Sequence, residues 1–424
     1  MIAQIGPSQV RGRVEAPSSK SMTHRMAILG ALAEGRTSIR RPLVCDDTLA
    51  TLNAVNMLGA KTKTSEDEWI VEGGSLTAPG EAMYCGESGT TLRLMTAVCA
   101  LADGCVTLTA GPSLSRRPME PLLDALSSLG VDVHGEAGYP PITVCGKGGI
   151  SGGETMLPGH VSSQFVSALL LVAPMMRSSL TIRVTTPLQS WPYVRMTMDT
   201  MESFGVKASA SPGRDVFTAP TGKYRASKVN VEEDWSSASY LLAAGAVGGE
   251  VTVGNLDTGS SQADTAILDI LSMMGAELTV RGNEVTCSRS QLKAVNVDFS
   301  DCPDLFPMVS ALCSVAEGTS VLTGLERLRL KESDRVAAMA EGLKRMGAKV
   351  AEDGVSVRIT GGTVRGTELN PYNDHRIAMS LGVLALAAEG GTTILDAGCV
   401  TKSYPGFWDR LERIGVNLRM MEDE

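Results

Sequence analysis

Five cations, Lys20, Arg25, Arg93, Arg335 and Arg376, stand in or just behind polar clusters that open strongly apolar, helix-like stretches. The first turn of a helix already carries unpaired N–H groups and about half a positive charge, so a side-chain cation there opposes the dipole. Cations set against the dipole imply an anion between them. Two carboxylates stand apart from the general acidic background: Asp304 in DCPDLFPM opens an apolar helix, and Glu332 lies between Lys331 and Arg335 in LRLKESDRV. Such a carboxylate serves as general acid or base when its surroundings set its pKa, and neighbouring cations keep it ionised until substrate arrives. Arg117 in SRRPME and Lys402 in TKSYPG stand on loops before proline, within reach of a neighbouring site. Each feature alone has a plainer reading. Ser, Thr and Asp cap helices, and the Lys331 to Arg335 run has the pattern of a solvated mixed-charge face.

Other chemistries find little support. The sequence has no G-x-S-x-G, no Walker A run and no G-x-G-x-x-G after a strand. Its four histidines lack metal-ligand spacing, and its nine cysteines contain no C-x-x-C pair and read as reduced packing residues. The residues by themselves thus point to group transfer between small anions by acid–base and electrostatic catalysis. No metal or other cofactor is expected.

These side chains are positioned by a repeat. One phrase recurs six times, an amphipathic helix ending in an apolar residue and Gly, then Ala or Val and a strand-like run: NMLGAKT, SSLGVDV, ESFGVKA, SMMGAEL, KRMGAKV and ERIGVNL. Its glycines, at 59, 130, 205, 275, 347 and 415, are nearly evenly spaced along the 424 residues. Interleaved with it are six apolar helices beginning near Lys20, Ser88, Ser162, Asp234, Pro303 and Asn373. A helix apolar on every face must be buried. Six units divide into three plus three, giving an α/β protein of two domains, residues 14–232 and residues 1–13 plus 233–424, with the active site expected in the interdomain cleft. The start of the chain is expected to add a strand to the second half.

The chain carries 38 basic and 47 acidic residues, a formal net charge of −9, without a basic tail. That balance argues against nucleic-acid or anionic-membrane partners. No apolar run is long enough to cross a bilayer and no targeting peptide is visible, so a cytoplasmic protein is expected.

At these motifs the chain becomes recognisable. APSSKSMTHR, ESGTTLRLM, the RP of SRRPM, VSSQF, QSWPY, PDLFPM, LRLKESDR, NDHRIAMS and TKSYPGF occur in the order found in the 5-enolpyruvylshikimate-3-phosphate synthase family, which the sequence resembles from about Pro17 to Phe407. The resemblance implies two domains, each of three βαβαββ repeats packed around buried parallel helices, the inside-out barrel of the enolpyruvyl transferases. It implies transfer of the enolpyruvyl group of phosphoenolpyruvate to the 5-hydroxyl of shikimate 3-phosphate, with release of phosphate, in the shikimate pathway. By motif, Lys20, Ser21, Arg25, Ser162, Ser163, Gln164, Ser190, Tyr193, Asp304 and Lys331 resemble the shikimate 3-phosphate contacts. Lys20, Gly89, Arg117, Gln164, Arg335, Arg376 and Lys402 resemble the phosphoenolpyruvate contacts. Asp304 is then expected as base on the attacking hydroxyl and Glu332 as proton donor to the methylene carbon, with Lys20 assisting. A cytoplasmic monomer follows as the expected form.

Two positions depart from the family pattern: Glu87 stands where Asn is frequent, and Arg327 where some members have Asn. The sister branch, which acts on UDP-N-acetylglucosamine, has a Lys-Asn pair at the first helix and a reactive loop cysteine. Here the helix reads KSMTHR and the loop around Arg117 has no cysteine. A non-catalytic anion-binding repeat protein is the alternative from another class.

Overall fold

The computed structural model describes residues 1–422. Two compact units are present, Ser18–Glu232 and Met1–Pro17 with Glu233–Glu424. The first boundary lies at Pro17/Ser18 rather than at the expected Arg13/Val14. The reason is the strand Val10–Glu15, which pairs in parallel along its whole length with Gly249–Gly254 of the second unit.

Each unit is built around three apolar helices. In the Ser18–Glu232 unit these are α1 (Lys20–Leu32), α3 (Gly89–Cys99) and α5 (Ser163–Val172), accompanied by the outer helices α2 (Asp46–Met57), α4 (Glu120–Ser128) and α6 (Trp191–Ser203). In the other unit they are α7 (Trp235–Gly248), α9 (Phe306–Cys313) and α11 (His375–Leu384), accompanied by α8 (Ile267–Met273), α10 (Arg335–Arg345) and α12 (Phe407–Arg413). Every residue of α7, α9 and α11 is buried, as all-round apolar helices require. Each unit has its own hydrophobic core.

The polar residues ahead of these helices are caps. Ser88 accepts from the Thr91 amide at 3.2 Å, Ser162 from Gln164 at 3.3 Å, Asp234 from Ser237 at 2.7 Å and Asp374 from Arg376 at 3.0 Å. The outer helices end on the recurring glycines, all six of which have positive φ between 79° and 103°. In each case the residue after the glycine donates its amide back five residues, as in Ala60 to Val55 (3.1 Å) and Val416 to Leu411 (3.1 Å). This is the Schellman closure, and the left-handed residue it needs is least strained as glycine.

Six four-stranded sheets cover the helices. In the sheet Met83–Tyr84, Asp103–Thr109, Tyr139–Lys147, Asp132–Glu136, the first two strands are parallel, joined through α3, and the rest are antiparallel. The βαβαββ order recurs, with one exchange. The strand before α1, Val10–Glu15, pairs with the strand after α7, while Lys228–Asn230, before α7, pairs with Gly35–Arg40, after α1. The start of the chain therefore supplies two strands to the second unit, since Ile2–Ile5 also lies between Thr392–Ile394 and Leu418–Met421.

One cysteine expectation is corrected. Cys105 and Cys145 are directly opposed on antiparallel strands, with Cα atoms 4.0 Å apart, and form a disulfide. The pairing depends on strand register, which a separation of 40 residues conceals in the sequence. The seven free cysteines are buried.

Candidate active site

In the Ser18–Glu232 unit the predicted residues gather at the N-terminal ends of α1, α3, α5 and α6. Lys20, the first residue of α1, pairs with Asp47 on α2 at 2.7 Å, both side chains being mostly buried. The Asp47 carbonyl in turn accepts from the Thr91 hydroxyl on α3 at 3.3 Å. Arg25, one turn into α1, is 1 % exposed. Its Nε donates to Thr197 Oγ1 at 2.7 Å, its Nη1 to the Ser21 carbonyl at 2.8 Å and its Nη2 to the Tyr193 carbonyl at 3.2 Å, so it ties α1 to α6. Burial pulls its pKa down to about 10. Ser190 occupies the N-cap position of α6 in a left-handed conformation, φ 57°, and is buried. A non-glycine residue there is held by its surroundings rather than by its own preference.

Ser162, Ser163 and Gln164 form the start of α5. Gln164 Oε1 accepts from Arg93 Nη1 at 2.7 Å, joining α5 to α3. Gly89 opens α3, and a Cβ there would stand 3.2 Å from Arg117 Nη1 and 3.4 Å from Arg93 Nη1. Any larger residue would therefore press on two guanidinium groups. Arg117 itself is 4 % exposed and follows the short turn Leu114–Arg116.

The second unit holds the remaining predicted residues except Lys402 in one ion cluster. Arg335, at the start of α10, has a side chain 2 % exposed and meets three carboxylates. Its Nε contacts Asp374 Oδ2 at 2.9 Å, its Nη1 Asp304 Oδ1 at 2.8 Å and its Nη2 Glu332 Oε2 at 2.6 Å. The other Asp304 oxygen accepts from Arg376 Nη2 at 2.9 Å, and Lys331 Nζ lies 3.9 Å from Asp304 Oδ1. The anion that the misplaced cations imply is thus the protein's own carboxylate here, balancing three cations against Asp304, Glu332 and Asp374. Burial alone would raise the Asp304 pKa, but Arg376, Lys331 and Arg335 outweigh it and hold the group well below the usual carboxylate range. Lys331 goes the other way. Its burial dominates, helped by the charges of Arg335 and Arg327 and opposed by Asp304, and its pKa falls from 10.5 to about 7. Lys402 donates to the carbonyl (2.6 Å) and side-chain oxygen (2.7 Å) of Asn373, the residue before the α11 cap.

Several residues carry roles that no local sequence pattern marks. Asp47 is one of two acidic residues in the first turn of α2, where acids are ordinary. Asp374 has the signature of a plain N-cap, yet its side chain is fully buried and also accepts from Ser333 at 3.1 Å. Glu87, a departure from the family pattern, does not stand idle: its two oxygens accept the amides of Ser113 (3.1 Å) and Leu114 (2.8 Å), anchoring the loop that leads to Arg117. Asp264, at the end of the SSQAD run, accepts from Ser236, and burial with the nearby charge of Asp304 raises its pKa to about 7. Among the described residues no group of three or more His, Cys, Asp or Glu could hold a metal ion.

Comparison with known proteins agrees with this arrangement of motifs. The family model described as EPSP synthase (3-phosphoshikimate 1-carboxyvinyltransferase) matches residues 5–411. A protein of Methanocorpusculum labreanum named 3-phosphoshikimate 1-carboxyvinyltransferase is 41 % identical over 420 residues, covering 98 % of this chain and 99 % of its own. One of the same name from Methanothermobacter thermautotrophicus is 43 % identical over 417 residues, covering 97 % of each. Among solved structures, an EPSP synthase of Acinetobacter baumannii superposes with a TM-score of 0.84 at 29 % identity, over 99 % of this chain and 100 % of that one. The enolpyruvyl transferase NikO of Streptomyces tendae shares the fold, with a TM-score of 0.82 at 18 % identity over 100 % of this chain and 99 % of its own. With its nine motifs in order, its six βαβαββ repeats and a match along nearly the whole length, the chain belongs to the EPSP synthase family.

Proposed function

We propose that the two polar clusters, one in each unit, carry the reaction of the family on one pair of substrates. That reaction moves the enolpyruvyl group of phosphoenolpyruvate onto the 5-hydroxyl of shikimate 3-phosphate and releases phosphate, in the shikimate pathway. The observation that carries the residue roles is the grip of Arg335 and Arg376 on both oxygens of Asp304, with Lys331 beside it and Glu332 on the same Arg335.

On this reading Lys20, Ser21, Arg25, Ser162, Ser163, Gln164, Ser190, Tyr193, Asp304 and Lys331 receive shikimate 3-phosphate. Phosphoenolpyruvate is met by Lys20, Gly89, Arg117, Gln164, Arg335, Arg376 and Lys402. A carboxylate gripped by two guanidiniums is a poor base. When the anionic groups of phosphoenolpyruvate take over Arg335 and Arg376, Asp304 loses the partners that depress its pKa and becomes able to accept the proton of the 5-hydroxyl. The hydroxyl oxygen then bonds to C2 of phosphoenolpyruvate while Glu332, protonated from solvent once phosphoenolpyruvate has taken over Arg335, gives that proton to C3, producing a tetrahedral intermediate with a methyl group. The Glu332 carboxylate takes a proton back from that methyl group, restoring the double bond as the C2–O bond to phosphate breaks, and the proton taken up by Asp304 ends on the released phosphate. Lys20 offsets charge on the departing phosphate. Orientation of two bound anions supplies much of the remaining acceleration.

Among the described residues no helix is long and apolar enough to cross a membrane. We take the enzyme to act as a cytoplasmic monomer.

Glu332→Ala tests the roles. Phosphate release should fall by about 10²- to 10⁴-fold, the usual contribution of a positioned acid–base group, while calorimetric binding of shikimate 3-phosphate persists. A rate like that of the parent enzyme would remove Glu332 from the mechanism.

A further inference from the structure

Arg93 lies beside the phosphoenolpyruvate contacts without belonging to them. It sits one turn into α3, near enough to Gly89 that a Cβ there would come within 3.4 Å of its Nη1, the same atom that donates to Gln164 Oε1 at 2.7 Å. Its guanidinium is also stacked over the ring of Phe165, with Cζ 5.5 Å from the centroid, and Phe165 is fully buried. The Arg93 side chain is therefore held by an aromatic wall as well as by Gln164.

A carboxamide has one accepting end and one donating end, and either can face a ligand if the side chain turns over. A guanidinium only donates, so whatever faces Arg93 must be the oxygen of Gln164. The amide nitrogen is then turned away from Arg93, and one of its two N–H groups goes to Thr90 Oγ1 at 2.9 Å. The other is left to an acceptor. A substrate bearing phosphate and carboxylate needs a donor at this place, and an amide flipped the other way would set oxygen against oxygen.

We propose that Arg93 is a positioning residue that fixes the Gln164 carboxamide in its donating orientation toward the phosphoenolpyruvate anion. This rests on the assignment of Gln164 to substrate given above. Arg93 acts through Gln164 and not on substrate directly, which makes the two residues a single unit energetically.

Steady-state kinetics of four variants, Gln164→Met, Arg93→Met, Arg93→Gln and the double Arg93→Met/Gln164→Met, provide the test. Gln164→Met should raise KM for phosphoenolpyruvate by about 10- to 100-fold, the loss of one hydrogen bond to a charged group, with kcat much less affected. An unchanged KM in that variant would defeat the substrate assignment itself. Given that rise, Arg93→Met should raise KM by a similar factor, and the double variant should match Gln164→Met alone within about twofold. Multiplied effects in the double variant, or an unchanged KM in Arg93→Met, would overturn the positioning role. Should Arg93→Met fail to fold, Arg93→Gln fills similar space but donates or accepts, freeing Gln164 to turn over. It should show the same rise in KM, and a KM like the parent's would again refute the proposal.

Discussion

Glu87 and Lys331 show how single residues set the terms of this chemistry. A carboxylate at Glu87, two residues before Gly89, whose Cβ position lies beside the Arg93 and Arg117 guanidiniums, would repel an incoming anion were it not turned onto the amides of Ser113 and Leu114. Those amides begin the turn that ends at Arg117, so Glu87 acts by holding that loop. Glu87→Ala should leave two amides without their acceptor, raising KM for phosphoenolpyruvate by about tenfold through a loosened Arg117 while thermal unfolding shifts little. A KM equal to the parent's would show that the loop holds without it. Lys331 gives a pH prediction. Its pKa of about 7, set first by burial, means that raising the pH through neutrality strips a positive charge from the contacts proposed for shikimate 3-phosphate. kcat/KM for that substrate should therefore fall above about pH 7. In Lys331→Arg, which stays charged, this limb should vanish from the pH–rate profile. Persistence of the limb would assign the ionisation elsewhere.

At the scale of elements, the apolar helices and their caps were legible because a helix buried on all sides leaves no polar face, and because Ser88, Ser162, Asp234 and Asp374 are strong capping types. The outer helices were legible from their repeated closing glycine. Gly275 isolates the conformational part of that role. A Cβ there meets nothing within 4 Å, so Gly275→Ala should cost only the left-handed strain, about 1 kcal/mol, and lower the melting temperature by a few degrees. Gly249 differs, since a Cβ would run into the Val10 carbonyl across the parallel pairing. Gly249→Ala should therefore be the more destabilising of the two in the same melting experiment. Strand partners were not legible: Val10–Glu15 with Gly249–Gly254, or Cys105 with Cys145, pair by a register that no local pattern records. The counter-ions were hidden for a related reason. Asp47 and Asp374 look like ordinary helix-start acids until the neighbouring helix supplies Lys20 or Arg335.

For the molecule as a whole, a net charge of −9 coexists with a function that binds two anions. The reconciliation is local. Each unit concentrates cations and helix N-termini at one set of positions, and in the absence of substrate much of that charge is met by protein carboxylates: Asp47 on Lys20, and Asp304, Glu332 and Asp374 on Arg335. The repeat makes this possible by presenting the starts of successive buried helices again and again. The identity of the acceptor decides the function most directly, and phosphate release measured with phosphoenolpyruvate and either shikimate 3-phosphate or UDP-N-acetylglucosamine tests it. Release with shikimate 3-phosphate alone, abolished when either substrate is withheld, is the predicted result. Release with UDP-N-acetylglucosamine instead, or none with either acceptor, would contradict it.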